Sequence, residues 1–340
     1  MSLSTFFDHY LPLVEQDLRA VLAPPEGSPP LFYGMLHYHM GWVDRDGQPS
    51  AANGGKRIRP VICLLVCEAA GGSVGCARPA AAAAELVHNF SLLHDDIQDR
   101  SPLRRKRATA WSIWGEAQAI NAGDALFTLA HLAIPRLAAN RLSASTQARM
   151  LTILDEMCLE LTRGQHLDMS FEARPDVAVY EYLDMIRGKT AALLSASAQL
   201  GALAAGADES RLEHYRAFGE CLGLAFQVLD DILDIWGEPS ATGKEAAVDI
   251  RQRKKSLPVL YGLERSAELR ALYAQPAAFD EARVEEAVAL LDEVGARAFA
   301  ERLAERYSNE TLEHLGAAEP QGEAGQALYE LVNYLLHRDR

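Results

Sequence analysis

Two copies of one acidic motif hold the side chains of this sequence best suited to chemistry. Both follow the pattern Asp-Asp-x-x-Asp within an apolar helical frame, and they comprise Asp95, Asp96, Asp99, Asp230, Asp231 and Asp234. Carboxylates three or four residues apart share one helix face, where their like charges destabilise the helix unless a cation compensates them. Oxygen ligands with room for water and phosphate oxygens suit Mg²⁺. The repeat therefore predicts a magnesium site, whereas one copy alone would fit a solvated helix face equally well.

Basic residues close to these carboxylates indicate phosphate binding. Residues 54–60 read Gly-Gly-Lys-Arg-Ile-Arg-Pro, and residues 100–107, directly after the first acidic motif, read Arg-Ser-Pro-Leu-Arg-Arg-Lys-Arg. Glycines permit close approach of a backbone to a ligand, and arginine grips phosphate oxygens in pairs. By itself the first segment also fits an ordinary solvated helix entry. His88 lies two helical turns before Asp95 on nearly the same face, so it is a further candidate for phosphate contact.

Composition argues against several classes of protein. The 340 residues carry a net charge of −14, which disfavours a nucleic-acid-binding surface. Five cysteines without a C-x-x-C pair suggest neither a disulfide framework nor a zinc site, and a reducing cytoplasm is the simplest setting. The N-terminal segment reads as an amphipathic helix rather than a secretion signal. The longest uncharged run, residues 190–207, is too weakly apolar for a membrane span, so we do not expect an integral membrane protein.

The elements that hold these motifs are expected to be helices. Apolar residues recur at spacings of three and four, while alternating strand patterns are nearly absent. Breaks rich in Gly, Pro, Asp or Ser divide the chain into roughly ten or more helices, and none of them is long enough for a clear linker. The sequence therefore predicts an all-α fold with a single domain over residues 1–340, in which the two acidic faces could confront each other.

In this order, the motifs resemble those of the trans-isoprenyl diphosphate synthases, or polyprenyl synthetases, which include farnesyl and geranylgeranyl diphosphate synthases. The resemblance runs from about residue 54 to residue 261 and also covers residues 121–126, 188–190 and 243–249. It implies a helical bundle around a central active-site cavity. It also implies an enzyme that joins isopentenyl diphosphate to an allylic diphosphate with Mg²⁺, and a homodimer.

The resemblance further implies roles for individual residues. Three Mg²⁺ ions would be held by Asp95, Asp99 and Asp230, joined by Asp96, Asp231 and Asp234. Isopentenyl diphosphate would be bound by Lys56, Arg59, His88 and Arg105. The allylic diphosphate would be contacted by Arg104, Lys189, Lys244 and Lys254. Thr190 and Gln227, with Lys189, would have catalytic roles by placing polar groups beside an allylic carbocation. Gln227 also fits a polar helix residue with a local partner.

Four residues depart from the family pattern. Lys106 stands where the family has glycine, and Ala108 where it has proline before a threonine. Arg253 replaces a second glycine, and Ser256 replaces a threonine. The first two bear on the conformation of the basic loop, and the other two on the role implied for Lys254.

Product length in this family depends on bulky residues before the first acidic motif, which form the floor of a hydrophobic tunnel. Phe90 lies five positions before Asp95 and is followed by the small Ser91, with no insertion in the motif. This pattern resembles short-chain geranylgeranyl synthases, so geranylgeranyl diphosphate is the expected product and farnesyl diphosphate the second candidate. Five residues turn a helix by roughly 140°, so Phe90 also fits an ordinary core aromatic.

Other functions share some of these features. A class I terpene cyclase would use one Asp-Asp-x-x-Asp motif and would not need a site for isopentenyl diphosphate. A non-catalytic partner subunit would be expected to lose part of an acidic motif, and this chain keeps both. A simple cation-binding protein explains the carboxylates but not the basic residues beside them.

Overall fold

A computed structural model describes residues 2–50, 52, 54–138, 141–237, 247–275 and 279–336. Lys244, predicted to contact the allylic diphosphate, lies outside these residues. By internal packing the chain divides into two compact units. Unit 1 comprises Met1–Cys158, Ala196–Leu212 and Glu319–Leu328, and unit 2 comprises Leu159–Ser195, Glu213–Ala318 and Tyr329–Arg340. The expectation of a single domain over residues 1–340 stays a prediction.

Helices make up most of the described chain, which confirms the predicted all-α class. In chain order they are α1 Leu3–Val21, α2 Pro30–His39, α3 Ile58–Ala69, α4 Val74–Gln98, α5 Ala110–Trp114, α6 Glu116–Leu137, α7 Ala144–Ala173, α8 Val179–Ile186, α9 Ala192–Ala205, α10 Glu209–Trp236, α11 Val248–Arg251, α12 Leu257–Arg265, α13 Ala267–Ala274, α14 Glu281–Glu293, α15 Ala296–Ala317 and α16 Gly322–Leu336. A π-helical turn, Arg187–Ala191, precedes α9. Two short strands, β1 Leu103–Arg104 and β2 Arg107–Ala108, form an antiparallel hairpin. In the described part of the chain, no helix is both long and apolar enough to cross a bilayer.

Unit 1 is built around α4, which packs against α3 and α6. The alanines at residues 80–84 of α4 are almost completely buried. Such small side chains let the neighbouring helices approach closely and fix the direction of α4. At the other end of α4, Gly123 of α6 faces His94, where an added Cβ would lie 2.2 Å from His94 Nε2. The end of α4 that carries the first acidic motif is therefore held tightly against α6.

Unit 2 holds the second acidic motif near the end of α10. The π-helical turn crosses α7 at two glycines: a Cβ on Gly164 would lie 2.2 Å from the Lys189 nitrogen, and one on Gly188 would lie 2.5 Å from the Glu160 carbonyl oxygen. Any side chain at either glycine would separate the two segments. π-Helical turns in α-helices are frequent at functional sites. This crossing sets the backbone positions of Lys189 and Thr190.

Candidate active site

The first acidic motif occupies the last turn of α4, and its three carboxylates lie in different environments. Asp95 is half-buried, and Asp99, which caps the helix, is exposed. Asp96 is only 2% exposed, and its Oδ1 accepts a hydrogen bond of 2.8 Å from Arg104 Nε. Burial raises the pKa of Asp96, while the Arg104 charge and hydrogen bond lower it. Asp95 and Asp99 are thus the members of this motif that present oxygen atoms toward solvent.

A group of basic side chains in unit 1, which we call the basic cluster, comprises Arg57, Arg59, His88, Arg104 and Arg105. Arg59 Nη1 lies 3.4 Å from His88 Nε2. Burial, and then the charges of Arg59, Arg105 and Arg57, lower the pKa of His88 well below its usual range. Burial likewise lowers the pKa of Arg59, and its Nε has no hydrogen-bond partner among the described residues. Crowded, half-buried donors of this kind are suited to bind an anion.

One member of the basic cluster is neutralised inside the protein. Arg57 is buried and makes a 2.5 Å ion pair with Glu85 Oε1. The same oxygen accepts a 2.8 Å hydrogen bond from Asn89 Nδ2, one turn further along α4. A buried arginine with a buried carboxylate partner is a structural pair. Lys56, the residue before Arg57, is exposed.

The hairpin that carries Arg104 and Arg105 turns through the residues Arg105 and Lys106, with φ angles of 51° and 63°. A two-residue hairpin loop needs positive φ at both positions, which glycine adopts without strain. Lys106 therefore has a left-handed backbone conformation that a glycine would adopt without strain. Thr109 N donates to the Pro102 oxygen at 3.0 Å, and Tyr38 OH donates to the Ala108 oxygen at 2.7 Å. These bonds hold the loop although Ala108 replaces proline.

The second acidic motif repeats the division seen in the first. Asp230 and Asp234 are half-buried, whereas Asp231 is 3% exposed. Asp231 Oδ2 accepts hydrogen bonds from Tyr182 OH at 2.5 Å and from Leu257 N at 3.0 Å. Burial raises the pKa of Asp231 to about 7, although these hydrogen bonds lower it. The middle aspartate of each motif is thus buried and bound by the protein, whereas Asp234 accepts a backbone hydrogen bond of 2.9 Å from Asp249 N and stays half-buried.

Three predicted site residues form one hydrogen-bonded chain in unit 2. Thr190 Oγ1 donates to Gln227 Oε1 at 2.9 Å, and Gln227 Nε2 donates to Asp231 Oδ1 at 3.0 Å. Gln227 lies one turn before Asp231 on α10. The arrangement fixes the amide and leaves Thr190 and Gln227 as neutral dipoles rather than nucleophiles. The roles predicted for Thr190 and Gln227 beside a carbocation stay predictions.

The predicted lysines lie in different settings. Lys189 Nζ bonds to Asp168 on α7. Lys254 is 62% exposed and lies 3.6 Å from Asp249 Oδ1. Its neighbour Lys255 instead donates to the backbone oxygens of Phe171 and Arg174.

Arg253 has a φ of 59° and donates to two backbone oxygens, including that of Gln275 at 2.7 Å. It has a left-handed conformation that a glycine would adopt without strain, and its side chain makes contacts that a glycine would lack.

Phe90 lies between α4 and α6. Its ring meets Phe127 edge-on at 5.1 Å and His94 at 5.2 Å between centroids. Ser91 Oγ donates to the His88 oxygen at 2.9 Å and remains local to α4. Phe90 is therefore part of an aromatic layer between two helices of unit 1, and Phe127 is the member that sequence reasoning missed.

The carboxylates fit a hard cation by their chemistry. Mg²⁺ binds through one or two carboxylates and completes its shell with water and phosphate oxygens. In the described ranges, no three His, Cys, Asp or Glu side chains are close enough to hold a metal by themselves. Among the same residues no hydrogen bond to the side chain of Asp99 or Asp230 is present, so these oxygens are available. The donor set suits Mg²⁺ shared with a phosphate ligand.

Three partners of the site residues were missed by sequence reasoning, namely Glu85, Asp168 and Tyr182. Glu85 lies ten residues before Asp95 in an alanine-rich helix, and a charged residue in such a frame is a signal for a buried partner. Tyr182 and Asp168 lie in ordinary amphipathic patterns, which contain no comparable signal.

The sequence has similarity to known proteins along most of its length. The family described as "Polyprenyl synthetase" matches residues 42–291. The (2E,6E)-farnesyl diphosphate synthase of Mycobacterium tuberculosis is 48% identical over 227 residues, 67% of this chain. The chain spans 62% of that relative's length, less than two thirds. The geranylgeranyl diphosphate synthase of the same organism is 40% identical over 309 residues, 90% of this chain and 86% of that protein.

Solved structures agree with these relatives. A polyprenyl synthetase from Streptomyces coelicolor A3(2) is similar with a TM-score of 0.89 and 36% identity, covering 98% of this chain and 100% of that one. The fold, the motifs with their geometry, and the match over residues 42–291 lead to one conclusion. The chain belongs to the polyprenyl synthetase family.

Proposed function

We propose that this protein is a short-chain trans-prenyl diphosphate synthase, which joins isopentenyl diphosphate to an allylic diphosphate and releases pyrophosphate. One observation carries the proposal: unit 1 brings the accessible carboxylates of Asp95 and Asp99 and the basic cluster to the same end of α4 and the hairpin that follows it. A cation site beside an anion site is the pairing that a diphosphate substrate requires. The names of the relatives support the same reaction.

Magnesium is proposed as the cofactor, with three ions held against the allylic diphosphate. Asp95, Asp99, Asp230 and Asp234 are the proposed ligands, because their carboxylates are exposed or half-buried. When bound, the ions neutralise the charge of the departing pyrophosphate. The other two aspartates, Asp96 and Asp231, were predicted as ligands from the sequence. Because Asp96 and Asp231 are 2% and 3% exposed and already accept from Arg104 and Tyr182, we assign them the role of holding those partners in place.

The protein's own side chains would bind and orient two diphosphates. Lys56, Arg59, His88 and Arg105 are proposed for isopentenyl diphosphate. Arg104, Lys189, Lys254 and Lys244 are proposed for the allylic diphosphate.

The allylic C–O bond breaks with both electrons on the leaving pyrophosphate, and the double bond of isopentenyl diphosphate attacks the resulting carbocation. A proton then leaves to pyrophosphate, and a new trans double bond forms. Thr190 and Gln227 would present partial negative charge to the cation.

Geranylgeranyl diphosphate is the proposed product. The Phe90 ring, proposed as the floor of the product tunnel, packs edge-on against Phe127 between α4 and α6, which supports this choice. Farnesyl diphosphate is the second candidate, because the 48% identical relative is named as a farnesyl diphosphate synthase.

A single domain, a homodimer and a cytoplasmic location complete the proposal. The first two follow from family membership. The location rests on the five cysteines, all of them free thiols.

Product analysis with purified protein tests this function. Labelled isopentenyl diphosphate is incubated with dimethylallyl, geranyl or farnesyl diphosphate, with Mg²⁺ or with EDTA. We expect elongation to a twenty-carbon diphosphate that EDTA abolishes. A fifteen-carbon end product would favour the farnesyl candidate. Folded protein that elongates none of the primers with Mg²⁺ would refute the proposal and direct attention to a cyclase or a partner subunit.

A further inference from the structure

Lys255 lies in the short loop of residues 252–256, between α11 and α12, and its side chain caps the end of a helix far away in the sequence. Its Nζ donates hydrogen bonds to the backbone oxygens of Phe171 and Arg174 and lies 3.4 Å from that of Glu172. The last carbonyl oxygens of an α-helix have no partner within the helix, and a lysine at that end bonds to them and interacts favourably with the helix dipole. Lys255 therefore ties this loop to the C-terminal end of α7.

The two segments that Lys255 joins both belong to unit 2, and each holds a lysine proposed for the allylic diphosphate. On the loop, Lys254 precedes Lys255 and is 62% exposed. On α7, Asp168 lies three residues before Phe171 and bonds to Lys189 Nζ. The ammonium group of Lys189 is thus held at α7, while that of Lys254 takes its position from the loop. Because Lys255 fixes the loop on α7, it also fixes these two ammonium groups relative to each other.

The loop carries three consecutive cations, and only the middle one is turned to solvent. The Arg253 guanidinium donates to the Gln275 oxygen at 2.7 Å, and Lys255 donates to the end of α7. Both flanking cations are therefore used on backbone oxygens and hold the loop from two sides. Lys254 Nζ lies 3.6 Å from Asp249 Oδ1, which is longer than a normal hydrogen bond. The arrangement presents Lys254 to a ligand and leaves its neighbours as anchors.

We propose that Lys255 is a positioning residue for the allylic diphosphate site: without touching the substrate, it holds the loop on α7 so that Lys254 and Lys189 act on one diphosphate. Two cations in fixed positions bind a multiply charged group more tightly than two mobile ones, because less conformational freedom is lost on binding. This inference rests on the proposed function, which assigns Lys254 and Lys189 to the allylic diphosphate. It adds a residue whose role is exerted through Lys254.

Binding measurements without turnover test this role. Geranyl diphosphate is titrated calorimetrically with Mg²⁺, in the absence of isopentenyl diphosphate, into the full-length protein and into K255M and K255R. Methionine keeps an unbranched apolar side chain but has no donor, so it releases the loop from α7. We expect the Kd to rise about fivefold to tenfold in K255M, because one charge-assisted contact is displaced, and to rise less in K255R, which retains N–H donors. The KM for isopentenyl diphosphate should change less than about twofold, since that substrate is assigned to residues of unit 1.

A double-mutant cycle distinguishes positioning from a purely structural role. If Lys255 acts through Lys254, adding K255M to K254M should raise the Kd for geranyl diphosphate by less than about twofold further. A general loosening of unit 2 would weaken binding by the same factor whether or not Lys254 is present.

Arg270 is the matched control, because it is also a cation that bonds to the last turn of a helix in unit 2. Its Nη1 donates to the Leu263 oxygen of α12 at 2.6 Å, and α12 carries neither Lys254 nor Lys189. R270M should therefore bind geranyl diphosphate within about twofold of the wild type.

The outcomes separate this inference from the proposed function. If K255M binds geranyl diphosphate as the wild type does, or if its effect is the same with and without Lys254, the assignment of Lys255 is wrong while elongation stands. If K255M weakens binding through Lys254 but the wild type elongates no primer, the proposed function fails and the positioning role stands. If the wild type with Mg²⁺ does not bind geranyl diphosphate, both are overturned.

Discussion

Replacing Lys106 by glycine is expected to stabilise the protein, although the substitution adds no contact. Lys106 is exposed and has a φ of 63°. A non-glycine residue in this left-handed region costs about 1–2 kcal/mol. Glycine also has more conformational freedom in the unfolded chain, which lowers the free energy of unfolding by roughly 0.4–1 kcal/mol and offsets part of the relief of strain. The net effect of K106G should be a rise of about 0.5–1 kcal/mol in the free energy of unfolding.

Arg253 has almost the same backbone angle and should respond in the opposite direction. Its φ is 59°, but its guanidinium donates to the backbone oxygens of Tyr273 and Gln275 and lies 5.4 Å from the Phe279 ring centre. Hydrogen bonds that involve a charged group contribute about 1.5–3 kcal/mol each, and the two bonds of Arg253 belong at the lower end of this range because one is exposed and the other partly buried. Their loss outweighs the relief of strain, so R253G should lower the free energy of unfolding by about 1–3 kcal/mol.

Thermal unfolding followed by circular dichroism measures both effects. For units of this size, K106G should raise the Tm by about 1–3 °C, and R253G should lower it by several degrees. K106A is the control, because it removes the same charge and side chain but keeps a Cβ in the left-handed region. It should melt within about 1 °C of the wild type. If K106G gains no more than K106A, or if R253G is as stabilising as K106G, the reasoning from backbone strain is wrong.

Three further predictions concern buried charge, product length and pH. E85A should lower the free energy of unfolding by about 3–5 kcal/mol, measured by urea denaturation, because it removes the carboxylate 2.5 Å from the buried Arg57 guanidinium and leaves Glu15, whose Oε2 lies 4.0 Å away. An effect below about 1 kcal/mol would contradict a buried pair. F90A should yield products at least one isoprene unit longer by chromatography, since it removes the ring that faces Phe127, and an unchanged product would exclude Phe90 as the floor. The folded-state pKa of His39, which burial lowers to about 3, lies below its ordinary value of 6.5. The contribution of the neutral imidazole to the free energy of unfolding is therefore present above pH 6.5 and is lost as the pH falls. By linkage, the free energy of unfolding should be about 1.4 kcal/mol lower at pH 5.5 than well above pH 6.5. Urea denaturation of H39Q at these two pH values should lack this His39 contribution.

Local patterns in the sequence determined the class of fold and the position of the acidic motifs. Helical periodicity depends on neighbours three and four residues apart, and both Asp-Asp-x-x-Asp copies lie on helices as their apolar frames predict. Their position near the ends of α4 and α10 was not predicted. Spacing also placed Gln227 one turn before Asp231, where they are hydrogen-bonded.

Only the tertiary structure decided which side chains of the motifs are engaged. By sequence Asp95 and Asp96 are equivalent, and so are Asp230 and Asp231. Asp231 is distinguished by Tyr182, which is 49 residues away along the chain and belongs to a different helix. Burial of this kind depends on helix packing, which a local pattern does not contain.

The same reason explains two features that the sequence did not decide, the position of His39 and the conformation of the loop at Lys106. His39 lies next to the basic cluster because Arg107, Tyr38 and Met40 join the end of α2 to segments far from it in the chain. Lys106 looked like a departure that would change a loop, yet the hairpin pairing of Arg104 with Arg107 imposes the backbone angle that glycine would have taken. The sequence specified which residues are present for chemistry, whereas long-range packing determined which of them are neutralised, buried or left to bind a ligand.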